Sequence, residues 1–257
     1  MNTVLISRFT PSTMPEDLLE RLFVVRQPIL EALMKSVKEL GQTPSPHHTL
    51  LVGPRGAGKT HLISLVYHRS KELADTGNGK PLRVAWLPED PWTIVSYGRL
   101  LAAILERVLP NFGVEKADES KLDASIRHTS REDGPILVLA ENLDQILEAL
   151  GDSGQQKLRN LLQTESGILI IASTTRLDRS LSSHASPFFS FFDTSRLPPF
   201  SPEEAREMLT TLAREANNSE LSKRLSDNDS LARIHTIAHL AGGQPRLWAL
   251  LGSALTV

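Results

Sequence analysis

The segment Gly53-Pro54-Arg55-Gly56-Ala57-Gly58-Lys59-Thr60 constrains the fold more than any other part of this sequence, because of what flanks it. A short apolar run, Thr49 to Val52, precedes it with the character of a buried strand. Leu62, Ile63, Leu65 and Val66 follow with helical spacing over Lys59 to Glu72. A strand that turns through glycines into a helix gathers its loop amides into one concave turn at the positive end of that helix. Such a turn holds an anion, and the two residues that open the helix say which one. Lys59 neutralises the β- and γ-phosphates of a nucleotide, and the Thr60 hydroxyl is set for magnesium. Gly53 to Thr60 and the adjoining His61 are therefore the predicted nucleotide-binding residues.

The rest of the chain reads as the frame that such a loop needs. Apolar spacing gives two helices between Pro15 and Leu40, broken around Val24 to Pro28, and then a loop from Gly41 to His48 whose two histidines are expected to be solvated. A polar turn at Asp75 to Lys80, a strand at Leu82 to Leu87 and an amphipathic helix at Tyr97 to Leu109 complete a βαβ unit. Asn111 to Gly134 is polar and charged, with a short helix around Ser120 to Ile126; it reads as a mobile surface segment whose charges form a solvated face. Strands follow at Pro135 to Glu141, Ile168 to Ser173 and near Asp193 to Leu197. Between the first two lie helices at Leu143 to Leu150 and Gln155 to Leu162, separated by a turn at Gly151 to Gly154. Phe188, Phe189, Phe191 and Phe192 read as a satellite core beneath a loop. After Pro198-Pro199 only helices are expected: Pro202 to Ala213, Ser219 to Leu225, Ser230 to Leu240 and Pro245 to Leu255. The predicted fold is α/β, three layers around a mostly parallel central sheet, with a small C-terminal helical domain.

Composition excludes some chemistry. There is no cysteine, so disulfides, thiolate metal sites and cysteine nucleophiles are ruled out, which suits a reducing compartment. The net charge of −2 supplies no chain-wide attraction to nucleic acid or anionic lipid. No apolar run approaches the roughly 20 residues of a membrane span, and the N-terminus lacks a signal-peptide pattern, so a cytoplasmic location is expected.

The strand Ile136 to Ala140 delivers Glu141, followed by Asn142, Leu143 and Asp144, and a magnesium-nucleotide site needs a carboxylate at the end of a second buried strand. With these residues the chain resembles the AAA+ ATPases, in the branch shared by origin-recognition initiators and STAND-type ATPases, whose strand ends in Asp-Glu-x-Asp. The resemblance runs from about Phe23 to Leu251. It implies an adenine-side segment and N-terminal helices over 1–48, an ATPase domain over 49–200 and a helical lid over 201–257, with ATP and magnesium held between ATPase domain and lid. Glu141 then falls on the magnesium-organising carboxylate and Asn142 on the one that activates water. An amide does not take up that proton, so hydrolysis is expected to be slow, to need a group from elsewhere, or to be lost. A register shifted by one residue makes Glu141 the base instead. The resemblance also implies a polar sensor at Thr174, with Thr175 as second choice. Phe23-Val24-Val25-Arg26 is similar to the Phe-Val-Gly-Arg element beside adenine, with Val25 in place of glycine. Gly242-Gly243-Gln244-Pro245-Arg246 is similar to the lid element that closes the nucleotide cleft, which brings Arg26 and Arg246 into the expected site.

These residues imply an ATPase that turns nucleotide binding or hydrolysis into domain movement or complex assembly. In such an enzyme one strand separates the Ile136 strand from the strand before the glycine loop. The alternative is a hydrolysis-impaired switch that recruits a partner. Protein partners and a homo- or hetero-oligomer are expected, DNA is a candidate partner, and relatives of this layout suggest a role in bacterial defence. No Asn-Lys-x-Asp guanine-reading sequence is present, and no arginine-rich lid favours a small-molecule kinase.

Overall fold

The computed structural model describes residues 11–73, 79–87, 92–227 and 229–254; the turn expected at Asp75 to Lys80 falls largely outside them. Five strands form one parallel sheet: β1 (Thr49–Val52), β2 (Arg83–Trp86), β3 (Ile136–Ala140), β4 (Ile168–Thr174) and β5 (Asp193–Arg196), in the order β2-β3-β4-β1-β5. β4 therefore separates β1 from β3, as the sequence led one to expect. Every residue of β1, β3 and β4 is buried, which is why these segments read as continuous apolar runs, whereas the polar edge strand β5 is mostly exposed.

The chain forms two compact units. One comprises residues 31–52 and 66–196 and contains the sheet. On one sheet face, Leu50, Val52, Ala85, Ile136, Val138, Ile168 and Ile170 pack with α4 (Tyr97–Val108) and α6 (Leu143–Thr164). Two helices meet within α6 at Gly151, the break expected there. Phe188 belongs to this main core and Phe191 and Phe192 pack against it, so these three are not a satellite cluster, while Phe189 pairs with His184. His48 is likewise buried rather than solvated. Its Nδ1 accepts a hydrogen bond from the Ile170 N–H at 3.1 Å, and its ring stacks on Phe191 at 5.1 Å.

The segment expected to be a mobile surface is folded. α5 (Glu119–His128) buries Leu122 and Ile126, and a wide turn continues it over Thr129–Asp133. Its charges do not simply face water: Arg127 and Arg131 both bond Glu165, only 2% of whose side chain is exposed, at 2.8 and 2.5 Å. A buried carboxylate requires such partners.

The second unit comprises residues 1–30, 53–65 and 197–257. Its described residues include α1 (Glu16–Leu22) and four helices, α8 (Pro202–Glu215), α9 (Ser219–Ser226), α10 (Ser230–Ala241) and α11 (Pro245–Ala254). α8 starts at a capping box in which the Ser201 and Glu204 side chains bond each other's backbone N–H, so two of the open donors at the helix start are satisfied. Met208, Leu209, Leu221, Leu225, Ile234 and the fully buried Trp248 form its core. α2 (Gln27–Lys38) and α3 (Lys59–Lys71) run from this unit into the sheet unit. No described helix is long and apolar enough to cross a membrane.

Candidate functional site: a glycine loop held by an arm and a lid

The glycine loop leaves β1 after Val52 and ends where α3 begins at Lys59. Gly56 and Gly58 take φ of +80° and +89°, values that side chains disfavour and that turn successive amides the same way. The Ala57 N–H closes the turn on the Pro54 carbonyl at 3.1 Å. Lys59 is buried, and its Nζ donates to the carbonyls of Gly53 and Pro54 at 2.6 and 3.0 Å, so the ammonium lies folded across the loop. Pro54 and Arg55 are exposed at the rim.

Two other segments of the same unit grip this loop. The first is the arm that follows α1. His61 turns its ring away from the loop: Nε2–H donates to the Leu19 carbonyl at 2.9 Å and Phe23 packs on the ring at 5.6 Å. Burial pushes the His61 pKa down, which keeps it neutral and suits packing rather than contact with phosphate. Arg26 stands at φ +74°, so the left-handed residue of this element is the arginine itself and not Val25. Its guanidinium bonds the Ala57 carbonyl with one Nη and the Pro198 carbonyl with the other, at 2.6 Å for the latter. It also lies over the Phe200 ring at 4.7 Å. Burial draws the Arg26 pKa down to about 10, with Glu204 opposing that shift, so the group stays charged at neutral pH.

The second segment is the lid. α10 ends at the left-handed Gly242. At Gly243 a Cβ would lie 2.4 Å from the Pro199 Cβ, and the Phe200 N–H donates to the Gly243 carbonyl at 2.7 Å. Only glycine allows that approach. Pro245 then opens α11, where its missing N–H costs nothing. The next residue, Arg246, donates its backbone N–H to the Gly56 carbonyl at 3.3 Å, and a Cβ on Gly56 would meet the Arg246 Cβ at 2.8 Å. The exposed Arg246 thus borders the loop by its backbone and stem. Neither Pro198 nor Phe200 carried a sequence signal beyond the Pro-Pro boundary.

The sheet unit holds the remaining predicted residues. Glu141, 4% exposed, follows β3. Asn142 stands at φ 51°, ψ 50° and begins α6, a left-handed position that asparagine tolerates better than most residues. Asp144, in the first turn of α6, has a buried Oδ1 with no hydrogen-bond partner. Thr174 ends β4 in register with Val52, and its hydroxyl donates to the Arg176 carbonyl at 2.8 Å. That bond fixes the turn after the strand and leaves the oxygen able to accept. Among the described residues no group of three or more His, Asp or Glu side chains stands ready to hold a metal.

No family model matches the sequence, and no match is found among curated proteins. Solved structures do match. The ORC1 protein of Aeropyrum pernix, determined in complex with DNA, has a TM-score of 0.64 at 19% identity, over 92% of this chain and 63% of that one. A Walker-type ATPase of Pyrococcus abyssi has a TM-score of 0.60 at 17% identity, over 96% and 70%. Drosophila ORC bound to DNA has a TM-score of 0.60 at 17% identity, over 94% and 62%. The chain thus spans less than two thirds of the length of the two ORC proteins. At these identities the likeness is one of fold.

Proposed function

We propose that this chain, whose fold is that of the AAA+ P-loop ATPases of the origin-recognition type, binds ATP with magnesium on Gly53 to Thr60 and uses it to drive domain movement or complex assembly. The observation that carries this reading is the loop itself: two left-handed glycines, a buried lysine whose ammonium is held against the loop's own carbonyls, and a helix that starts at that lysine. These groups fit a triphosphate, because the amides and the ammonium are hydrogen-bond donors that an anion can accept from. Thr60 and Glu141 are the residues that would hold magnesium; the metal supplies charge neutralisation at the phosphates. Thr174 is the proposed sensor. DNA and protein partners remain proposals too; DNA accompanies two of the structural neighbours.

A second reading keeps ATP as a switching ligand with little turnover, and Asn142 favours it. The side chain is an amide where water activation needs a base, and its left-handed backbone is one that glutamate would strain. The testing experiment measures Mg·ATP affinity and single-turnover hydrolysis for the wild type and Lys59→Ala, with and without duplex DNA. Lys59→Ala is expected to weaken binding by about tenfold or more, through loss of a charge-assisted contact. Equal affinity in the two proteins would overturn the site. Fast turnover without any partner would overturn the switch reading and leave the ATPase reading in place.

A further inference from the structure

The loop's inner surface belongs to the nucleotide, but its outer surface is also occupied. Arg26 bonds the Ala57 carbonyl from outside, and that oxygen shares its peptide group with the Gly58 N–H, one of the amides of the phosphate cradle. Fixing the carbonyl fixes the plane of that peptide and hence the direction of the Gly58 N–H. A cationic donor on the oxygen also polarises the amide, which makes its N–H a stronger donor in turn. The same guanidinium bonds the Pro198 carbonyl, which leads into the lid. One planar group therefore joins a cradle peptide to the segment before α8, across sequence separations of 31 and 172 residues.

We propose that Arg26 is a positioning residue for phosphate, setting the Gly58 amide through the Ala57 carbonyl while anchored to the chain before α8 at Pro198. This rests on the nucleotide reading above. Simple packing accounts poorly for the arrangement. Arg26 adopts a left-handed backbone at φ +74°, and its Nε is buried without a partner, two local costs that persist where the surroundings impose them. Gly58 is left-handed as well, and a Cβ there would stand 3.3 Å from the Arg26 Nη1, so a side chain at 58 would both strain the turn and crowd the clamp. The lid makes a parallel attachment one residue earlier, where the Arg246 N–H bonds the Gly56 carbonyl. The amide of that peptide, Ala57 N–H, bonds the Pro54 carbonyl, which also receives the Lys59 ammonium. Arm and lid both act on the loop from its outer side.

The two carbonyls are met by different Nη atoms of one planar fork, a geometry that the single nitrogen of a lysine does not reproduce. The test measures Mg·ATP and inorganic pyrophosphate affinity for the full chain as wild type, Arg26→Lys and Arg26→Ala, with the Gly58 amide followed in 1H–15N spectra of the nucleotide-free protein. Arg26→Ala is expected to weaken ATP and pyrophosphate in the same proportion, by about tenfold. Arg26→Lys, which keeps the charge and is the milder change for folding, is expected to fall between it and the wild type. In both variants the Gly58 amide proton moves upfield, a change that general loosening of the fold would not centre there. A loss of ATP affinity with pyrophosphate unchanged would assign Arg26 to the base and overturn the proposal. So would wild-type affinities in both variants, or an unmoved Gly58 resonance. Failure of the wild type to bind either ligand would instead bring down the nucleotide reading beneath it.

Discussion

Acid should unfold the sheet unit through His48, and the size of the effect follows from where that ring sits. Buried at the entry to β1, the imidazole accepts a hydrogen bond from the Ile170 N–H and stacks on Phe191, and burial lowers its pKa from 6.5 to about 4. The Nδ1 that accepts this bond is the nitrogen that would have to be protonated, so charging the ring also breaks the contact. Between about pH 4 and 6.5 the folded chain binds fewer protons at this site than the unfolded chain does. Its contribution is therefore complete above pH 6.5 and is lost as the pH falls toward 4. From pH 7.5 to 4.5 the loss is about 2–3 kcal/mol. His48→Asn keeps an acceptor in place of Nδ1 and cannot titrate. At pH 7.5 it is expected to cost about 1–2 kcal/mol for the lost ring packing. Urea denaturation of both proteins across this pH range, followed by far-ultraviolet circular dichroism, gives the comparison. Carboxylates common to both proteins cancel in the difference. Parallel pH profiles would refute the buried, neutral, accepting imidazole.

Two further outcomes are expected. At position 142 the left-handed backbone makes Asn142→Glu less stable than the wild type by about 1 kcal/mol in chemical denaturation; equal stability of the two would contradict that backbone assignment. Glu165→Gln leaves Arg127 and Arg131 without their shared carboxylate and should cost about 2–3 kcal/mol, with ATP affinity unchanged; an unaltered melting temperature would refute the role of that cluster.

The glycine loop and the individual strands were legible because they rest on short-range patterns: apolar runs, a glycine turn and a helix start within a few residues; that one strand parts β1 from β3 came from the resemblance alone. The helical lid was legible for the same reason, from its caps and its Gly-Gly-x-Pro-Arg turn. What escaped was long-range. The resemblance places Arg26 beside adenine; that its guanidinium engages the carbonyls of Ala57 and Pro198 is announced by nothing near Arg26 in the chain. Arg127 and Arg131 looked like solvated charges because Glu165 lies more than 30 residues downstream. His48 looked like a loop histidine because Ile170 and Phe191 are far off in sequence. The resemblance sets Asn142 against a water-activating carboxylate, whereas a backbone reason for asparagine appears only in its dihedral angles.

The unit that carries the glycine loop is built from three separate stretches of chain, 1–30, 53–65 and 197–257, and this bears on the order in which a ribosome can finish it. Arg26 and the loop emerge early, but Pro198, Phe200 and Arg246 follow only after the whole sheet unit has been synthesised. Through most of translation the arginine has only the Ala57 carbonyl to hold, and the Gly56 carbonyl still lacks its lid donor. The sheet unit can collapse on its own strands meanwhile. A fully braced glycine loop is then the last property the chain acquires, and a nascent chain halted before residue 197 would hold the loop only through the Arg26 bond to Ala57.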